Sequence, residues 1–435
     1  MADSAVLFTN VRILDGSGEF PYTGEVLVQG NRIRQVTRGG SRFSAMGGGG
    51  LGNGAQTTID GMGATLMPGL CDGHLHLSWN NAGSLEAIQR MPPEEHTLFA
   101  ADMAKLMLDS GFTSGVGAAS AKPRLDVVIR NAINSGQIPG PRYRAAGPEI
   151  ATLGGLGDTS PPHMEFPELS FGMVVTGPEE MRRAVRQLIK YDVDILKLNL
   201  SGEDITAVRA EETPMADEEI AMACTEGRRR GKTMAAHARS AESVKLCVRY
   251  GIRNIYHASF ADEEALDMLE AAKDRHFVAP GLAWLIGTAR NAAEWGIAPG
   301  SRLAIAYERE LEIACETMRQ MHRRGITVCI GGDYGFAWTP MGTNARDIEL
   351  FVDLLGFSPM EALLAATRDG GAMMGMGGEL GQIKEGYLAD LILVDGDPVA
   401  NVRVLQDKSR LLAIMKDGRF HKEPRMAEQR RRLIA

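Results

Sequence analysis

Two histidines one residue apart, His74 and His76, are the residues of this chain whose spacing most directly suggests chemistry. In a β-strand alternate side chains share a face, so the two imidazoles would point to one side and Leu75 and Leu77 to the other. Two imidazoles so placed can bind one metal ion. On its own, the pair slightly favours the other interpretation, two strand histidines hydrogen-bonded to the backbone. The choice between these interpretations depends on what the neighbouring strands carry.

Four more polar residues lie in or just after other predicted strands. They are Lys197, His237, His257 and Asp333. Each has a plain structural explanation: a lysine that reaches solvent, a hydrogen-bonded core histidine, or a capping aspartate. Because parallel strands of a barrel end at one rim, we expect all of them to meet His74 and His76 there. A lysine buried at that rim has a lowered pKa, so its neutral amine could add carbon dioxide and bridge two cations as a carbamate.

An alternation of strands and helices must position these residues. The predicted strands of the middle of the chain are 70–76, 112–118, 142–148, 194–200, 233–239, 252–258, 277–283 and 326–332. The predicted amphipathic helices include Pro93–Ser110, Pro178–Tyr191, Asp217–Arg230, Asp262–Lys273 and Ser301–Arg324. Eight such units favour an α/β fold of the (β/α)8 TIM barrel type over a doubly wound sheet. No Gly-x-Gly-x-x-Gly follows the first strand, which argues against a dinucleotide-binding sheet.

The two ends of the chain have a different pattern, with short apolar strands. These are predicted at Ala5–Leu14, Glu25–Val36, Thr57–Leu66, Tyr387–Val394 and Leu411–Met415, the last followed by the hairpin-turn signal Asp417-Gly418. Neither end has enough residues for a core of its own, so we expect them to form one small β-sandwich. The predicted domains are 1–67 plus 378–425 for the composite β-sandwich, 68–377 for the barrel and 426–435 for a C-terminal tail.

Composition limits the class of protein. The 435 residues are 44% hydrophobic and 23% charged, as in globular proteins, and 47 basic against 55 acidic residues argue against a nucleic-acid partner. No apolar run is long enough for a bilayer, and we see no export signal. The five cysteines are scattered, without a Cys-x-x-Cys pair, which favours free thiols. We expect a cytoplasmic homo-oligomer that binds a small-molecule substrate, with no membrane partner.

Several segments, in order, resemble the amidohydrolase superfamily, and within it the imidazolonepropionase-like and Xaa-Pro dipeptidase (prolidase-type) branch. The resemblance runs from the N-terminal strands to about residue 420. It is carried by Leu66-Met67-Pro68-Gly69-Leu70-Cys71-Asp72-Gly73-His74-Leu75-His76, Gly111-Phe112-Thr113, Ile138-Pro139-Gly140-Pro141-Arg142, Asp194-Ile195-Leu196-Lys197, His237-Ala238, Gly331-Gly332-Asp333, Gly386-Tyr387-Leu388-Ala389-Asp390-Leu391 and Val394-Asp395-Gly396-Asp397-Pro398. Near relatives within the superfamily would include ochratoxin, phenylurea and molinate (thiocarbamate) hydrolases.

The resemblance implies a binuclear metal centre. His74, His76 and Asp333 would hold one divalent ion, His237 and His257 the other, and carboxylated Lys197 would bridge them. Zinc is expected, with manganese or cobalt as alternatives. A metal-bridging hydroxide would attack the substrate, with Asp333 and His257 as catalytic residues and Asp333 carrying the proton to the leaving nitrogen. Two dications against the carbamate, Asp333 and hydroxide leave one positive charge, which favours a developing oxyanion.

Three departures from the branch predict a rebuilt pocket around intact metal ligands. Leu156 stands in Gly154-Gly155-Leu156-Gly157-Asp158, where the branch commonly has histidine; whether His163 replaces that donor stays open. Tyr256 precedes His257 where glutamate is common, and Tyr334 follows Asp333 in place of a small residue.

All four tryptophans follow predicted strands on the active face. Trp79, Trp284 and Trp338 are expected to form an apolar pocket wall, whereas loop packing explains Trp295 at least as well. Arg239 would anchor a substrate carboxylate or form a structural ion pair. The expected substrate-binding residues are Trp79, Leu156, His163, Arg239, Tyr256, Trp284, Tyr334 and Trp338.

The sequence thus predicts a metal-dependent hydrolase of an amide-type C–N bond in a small apolar or aromatic molecule, such as an aryl amide, phenylurea or thiocarbamate. The nearest alternative is an Xaa-Pro dipeptidase, which needs a group for a free carboxylate. A deaminase of this fold usually binds one metal ion and has no lysine on the fourth strand, so Lys197 argues against a deaminase. From a different class, a non-catalytic assembly protein of the same fold would have lost ligands, and all six are present here.

Overall fold

The computed structural model describes residues 5–39, 56–163 and 170–424. The predicted C-terminal tail at 426–435 lies outside the described residues. Within the described ranges, no helix is both long enough and apolar enough to cross a bilayer. All five cysteines are buried and free, as the sequence predicts.

Strands from the two ends of the chain pair in one eight-stranded sheet. Its members are β1 (Ala5–Ile13), β2 (Tyr22–Gln29), β3 (Arg32–Arg38), β4 (Gln56–Asp60), β5 (Thr65–Pro68), β15 (Leu391–Val394), β16 (Leu411–Lys416) and β17 (Arg419–Lys422). The order is β17-β16-β15-β5-β1-β2-β3, with β4 beside β1. Antiparallel pairing of β5 with β15 joins the two ends of the chain.

The core of this sheet explains why the two ends depend on each other. Alternate residues of the strands point into one apolar cluster, as a period of two requires. They include Val6 and Phe8, Val26 and Val28, Leu391 and Leu393, and Ala413 and Met415. The predicted segment Glu25–Val36 is wrong as one strand, because the chain turns at Gly30 (φ 59°) between β2 and β3. The predicted hairpin is confirmed: Asp417 and Gly418, both with positive φ, join β16 to β17.

The middle of the chain contributes parallel strands in two sheets. One has the order β6 (Leu70–Leu75), β7 (Phe112–Gly117) and β8 (Arg142–Arg144). The other has the order β10 (Met173–Val175), β9 (Ile150–Thr152), β11 (Ile195–Asn199), β12 (Thr233–Ala238), β13 (Asn254–His257) and β14 (Phe277–Ala279). Isolated parallel bridges pair Ala146 with Ile195, Val278 with Val328, and Leu75 with Tyr334.

Twelve α-helices lie in the described ranges, and most follow strands of the middle region. They are α1 (Leu85–Arg90), α2 (Pro93–Asp109), α3 (Leu125–Asn134), α4 (Gly177–Lys190), α5 (Asp217–Arg229), α6 (Ala241–Tyr250), α7 (Glu263–Ala271), α8 (Leu282–Arg290), α9 (Arg302–Arg323), α10 (Arg346–Leu355), α11 (Pro359–Ala365) and α12 (Arg368–Met373). Helix α4 buries Met181, Ala184, Val185 and Leu188, the i, i+3, i+4, i+7 stripe of an amphipathic helix.

The five predicted helices are confirmed to within two residues at each end. The eighth predicted strand, 326–332, is wrong as a strand. In this segment Val328 makes an isolated bridge to Val278. Gly331 and Gly332 follow, and Asp333 then adopts a left-handed backbone conformation. Strands β9 and β10 were not predicted. The hydrogen-bonded ladders give an α/β fold with parallel sheets. The described residues contain no sheet that closes on itself through continuous ladders, so the barrel and the sandwich form stay predictions.

Candidate metal centre and substrate cavity

The ends of the parallel strands bring six candidate ligands together. His74 lies in β6 and His76 follows it, while Lys197, His237 and His257 lie on β11, β12 and β13. All six residues, including Asp333, are at least 95% buried. They all line one cavity of about 300 Å³. The structure therefore places every predicted metal ligand around the same space.

Asp333 is the centre of this group. Its Oδ1 lies 3.0 Å from His76 Nε2 and 3.4 Å from His74 Nε2, and its Oδ2 lies 3.8 Å from His257 Nε2. One ligand atom each from His74, His257 and Asp333 falls within 4.8 Å of the others. The His237 and His257 rings are 4.5 Å apart between centroids. These separations suit donors that share one or two cations.

Backbone carbonyls orient two of the imidazoles. Nδ1 of His76 donates to the Ala119 carbonyl (3.3 Å), which leaves Nε2 as a lone-pair donor beside Asp333. Nε2 of His237 donates to the Gly202 carbonyl (3.0 Å), which leaves its Nδ1 for a ligand. A hydrogen bond at one ring nitrogen fixes the tautomer, as is usual for metal-binding histidines.

Several buried donor atoms of the group have no hydrogen-bond partner in the described parts of the chain. They are Nδ1 of His74, Nε2 of His76, Nδ1 of His257 and Oδ1 of Asp333. Leaving a buried polar atom unpaired costs about 1–3 kcal/mol, so such a cluster of nitrogen and oxygen donors needs a proton or a metal ion between its members. The donor set fits divalent zinc, manganese or cobalt.

Burial sets the protonation states. It lowers the pKa of His74, His237 and His257 well below the usual value, which favours the neutral imidazole that binds metal. Burial also lowers the pKa of Lys197, against the opposing charge of Glu149, whose Oε2 lies 3.9 Å from Nζ. Burial would raise the pKa of Asp333, but the neighbouring His74 and His76 bring it below its usual range. Asp333 is therefore a carboxylate.

The backbone at the ligands is strained. His257 (φ 75°), Ala258 (φ 55°) and Asp333 (φ 63°) adopt left-handed conformations that cost non-glycine residues of order 1–3 kcal/mol each. Gly281 (φ 67°) lies against the His257 ring, and a Cβ atom at position 281 would be 2.7 Å from His257 Nδ1. Strain of this kind persists where the surroundings hold it, and it is typical of active sites.

Aromatic rings form part of the cavity wall, and Leu156 also lines the cavity. Trp79 stacks on His76 (3.4 Å between centroids) and Phe336 stacks on Trp338 (4.9 Å). The aromatic residues of the wall are Trp79, Phe171, Trp284, Trp295, Phe336 and Trp338. Of these, Trp295 is 38% exposed and lies at the rim. Trp79, Trp284, Trp338 and Leu156 line the cavity, and their expected part in substrate binding stays a prediction.

Four expected substrate-binding residues are not among the residues that line the cavity, and physical reasons are clear for each. Arg239 is fully buried and forms ion pairs with Glu203 and Glu310, which occupy its guanidinium. Tyr256 is buried behind His74, on which its ring stacks at 4.0 Å. Tyr334 points away and donates to Asp347. His163 is exposed.

The sequence of residues 65–420 matches the Amidohydrolase family. The chain belongs to this family. It is therefore a hydrolase that acts on carbon–nitrogen bonds.

Two sequence relatives match along most of their length. An ochratoxinase of Aspergillus niger is 26% identical over 388 residues, covering 82% of this amidohydrolase and 76% of that protein. An imidazolonepropionase of Rubrobacter xylanophilus is 23% identical over 369 residues, covering 83% of each. The resemblance to the imidazolonepropionase-like branch is thereby confirmed.

Solved structures of prolidase and molinate hydrolase share the fold of this amidohydrolase. A prolidase in complex with N-methylphosphonate-L-proline superposes with a TM-score of 0.85 at 25% identity, over 96% of this chain and 100% of that one. Molinate hydrolase superposes with a TM-score of 0.74 at 19% identity, over 97% and 95%. The second likeness is one of fold alone.

Two acidic residues of this amidohydrolase line the cavity and were not predicted. Glu149 lies between β8 and β9, and Glu203 follows β11. Both stand just beyond predicted strands, so the position that singled out Asp333 could also have singled them out. Burial raises the pKa of Glu203 to about 7, although Arg239 opposes the shift. Phe171 was missed because it precedes β10, a strand that the sequence did not predict. Phe336 lies two residues before Trp338, after the same predicted strand, so the reasoning that selected Trp338 could have found it.

Proposed function

We propose that this amidohydrolase cleaves an amide-type C–N bond in a small apolar or aromatic substrate, such as an aryl amide, a phenylurea or a thiocarbamate, at two divalent metal ions. One observation carries the proposal: six buried candidate ligands line a cavity whose other wall is aromatic. The name of its relative ochratoxinase supports this class of substrate.

The unpartnered donor atoms and the neutral imidazoles fit a binuclear centre. We assign His74, His76 and Asp333 to one ion, His237 and His257 to the other, and a carboxylated Lys197 to both. Such ions would lower the pKa of a water molecule and polarise the scissile carbonyl. Lys197 suits carboxylation, because burial favours its neutral amine and only that form adds carbon dioxide.

Asp333 is the proposed base. It remains a carboxylate at neutral pH, so it can accept the proton of the attacking water and return it to the leaving nitrogen. His257 is the second proposed catalytic residue, because its Nε2 lies 3.8 Å from Asp333 Oδ2 and its strained backbone aims the ring at the same point. Trp79 and the aromatic wall would hold the substrate and exclude water.

We further propose that the parallel strands form a closed (β/α)8 barrel, residues 68–377, beside a composite β-sandwich from residues 1–67 and 378–425. The isolated bridges support closure: Ala146–Ile195 links the two parallel sheets, and Val278–Val328 and Leu75–Tyr334 extend from β14 back towards β6. This places the site at the C-terminal ends of the strands, where barrel enzymes build theirs.

A dipeptidase is the second candidate, favoured by the fold likeness to a prolidase. A dipeptide substrate needs a basic group for its free carboxylate. Among the described residues that line the cavity, Lys197 is the one lysine or arginine, and it belongs to the proposed metal centre. The geometry therefore favours a substrate without a free carboxylate over a dipeptide.

The test is a hydrolysis panel on protein reconstituted separately with zinc, manganese and cobalt. Aryl amides, phenylureas, thiocarbamates and Xaa-Pro dipeptides are compared, and metal content is measured on the same samples. We expect two ions per chain and turnover of a hydrophobic amide. Preferred cleavage of Xaa-Pro dipeptides would make the protein a dipeptidase. Near-zero metal content without turnover would support a non-catalytic assembly protein.

A further inference from the structure

The loop after β11 fixes a carboxyl group at the cavity wall. The Glu203 N–H donates to the Val208 carbonyl (2.9 Å), and Thr206 donates back to the Glu203 carbonyl through both its N–H and its hydroxyl (2.8 Å each). The Glu203 residue is 7% exposed and lines the cavity. Its backbone is therefore set before any ligand arrives.

The two oxygens of Glu203 have different environments. Oε1 accepts from Arg239 (2.7 Å), from the Tyr307 hydroxyl (2.8 Å) and from Trp284 Nε1. Oε2 has no hydrogen-bond partner among the described residues, so it is the oxygen that remains for a ligand.

The neighbouring arginine does not cancel the charge of Glu203. Arg239 also pairs with Glu310, which in turn accepts from the Ser259 hydroxyl (2.6 Å). One cation between two carboxylates leaves the trio with a net negative charge when both are ionised. Glu310 is 1% exposed and does not line the cavity, so Glu203 is the member that presents this charge to a ligand.

Glu203 is continuous with the aromatic wall. Its Oε1 holds the indole N–H of Trp284, whose ring lies 5.1 Å from Phe336 and 5.7 Å from Trp338. Phe336 in turn lies 5.0 Å from Trp79. Faces of aromatic rings carry negative electrostatic potential and attract cations, tryptophan most strongly.

The charges that line the cavity have one dominant sign. Glu149, Glu203 and Asp333 are acidic, and Lys197 is the one lysine or arginine that the described lining contains. With the proposed metal centre at one positive charge, Glu149 and Glu203 bring the whole cavity to one negative charge. Among the described lining residues, a substrate carboxylate finds no lysine or arginine besides Lys197, whereas an organic cation finds both the Glu203 carboxyl group and the faces of the tryptophan rings.

We propose that the substrate carries an organic cation, a protonated or quaternary amine, that binds between Glu203 and the tryptophan wall while its amide reaches the metal centre. The inference rests on the proposed function of the site and narrows its substrate class. Glu203 is then a specificity-determining residue.

The test compares two ligands of the same shape that differ in charge. (4-Hydroxyphenyl)trimethylammonium and 4-tert-butylphenol are titrated by calorimetry into metal-loaded and metal-depleted protein, with benzoate as the anionic comparison. We expect the cation to bind at least about tenfold more tightly than its neutral counterpart. Benzoate should bind more weakly than either in the metal-depleted protein, where no metal ion is present to bind its carboxylate. Equal affinities of the cation and the neutral ligand would overturn the proposal.

Two substitutions within one buried cluster locate the effect. Glu203→Gln keeps the shape of the side chain and removes its charge, and we expect the cation preference to fall to about threefold or less. Glu310→Gln leaves Arg239 paired with Glu203 alone, so the preference should fall, but by less than in Glu203→Gln, because the carboxylate at the cavity is kept. Loss of the preference in both variants alike would overturn the assignment to Glu203. If Glu203→Gln fails to fold, the same comparison is made with Trp284→Leu, which should weaken binding of the cation more than of 4-tert-butylphenol.

This test is separate from that of the proposed function. Binding is measured without turnover, so a cation preference in a protein that hydrolyses no amide would refute the hydrolase proposal alone. Hydrolysis of neutral aryl amides with no gain from an added ammonium group would refute the cation proposal alone.

Discussion

The two ends of the cavity are built differently. The proposed metal end consists of Asp333 and of side chains in or just beyond β6, β11, β12 and β13, and its backbone is strained at His257 and Asp333. The aromatic end comes mostly from segments between strands, among them those that carry Phe171, Trp295 and Phe336. The sheet holds residues at strand ends in place, whereas loops vary freely on the same scaffold. We infer that the reaction resides at the first end and substrate choice at the second.

The largest effect should follow removal of the proposed bridging residue. Lys197→Ala removes the group assigned to both ions, so we expect bound metal to fall from two ions per chain to one or fewer. Turnover should fall by about 10³-fold or more. That loss exceeds the about 10–100-fold loss of activity that usually follows substitution of a residue that only hydrogen-bonds to a metal ligand. Metal analysis and kcat on the same preparation check this, and added short carboxylic acids should restore part of the activity.

Lys416→Ala is the matched control, since Lys416 is a strand lysine of the terminal sheet, on β16. It should leave metal content and turnover close to those of the parent. A Lys197→Ala protein with two ions and parental turnover would contradict the assignment.

The second prediction concerns the space that the His257 ring occupies beside Gly281. In Gly281→Ala the new Cβ atom would lie 2.7 Å from His257 Nδ1, so the ring must move. We expect metal affinity and kcat to fall about 10–100-fold, with little change in KM. Gly231→Ala has nearly the same backbone (φ 63° against 67°) with nothing within 4 Å, so it adds strain without the contact. Equal losses in the two variants would show that backbone strain alone is responsible.

Gly281 illustrates what the sequence could not predict. The six candidate ligands were predicted because each lies in or just after an apolar segment, and the rule that parallel strands end at one rim brings such residues together. The need for glycine at 281 comes from the His257 ring, which arrives from another strand. No local pattern around Gly281 encodes that contact.

The same limit applies to Arg239 and to the last strand. Arg239 lies two residues after His237, which suggested a role in the cavity. Glu203 and Glu310, from distant segments, instead form ion pairs with its guanidinium. The apolar run 326–332 predicted a strand, yet the backbone there makes an isolated bridge and then turns at Asp333. Helices were predicted closely because their apolar periodicity and end signals are local.

The third effect should separate the aromatic end from the metal end. Trp338→Gln replaces a wall ring with a polar side chain, so KM for hydrophobic amides should rise about tenfold while kcat and metal content change little. Thr288→Val is the control, because it removes the acceptor of the Trp338 indole N–H (3.1 Å) and leaves the ring in place. A loss of kcat with unchanged KM in Trp338→Gln would place that ring in the reaction instead.

The smallest effect is expected at Asp347, and it concerns the pH dependence of the free energy of unfolding. Burial raises the pKa of Asp347 to about 8, the nearby Asp72 adds to the shift, and hydrogen bonds from the Tyr334 hydroxyl (3.0 Å) and the Gly331 N–H (3.1 Å) oppose it. The folded chain therefore holds a proton at this carboxyl that the unfolded chain releases near pH about 4. Its contribution to the free energy of unfolding is complete below that pH and is lost as the pH rises through about 8.

Asp347→Asn should remove this dependence. Urea unfolding of the metal-depleted protein between pH 5 and 8 should show the parent losing stability, by at most about 1.4 kcal/mol per pH unit from this group, and the variant losing less. Asp353→Asn on the same helix α10 is the control, because that side chain is 48% exposed. If the parent and Asp347→Asn keep the same slope, Asp347 does not hold its proton, and the segment between Gly331 and Tyr334 rests on an ionised carboxylate instead.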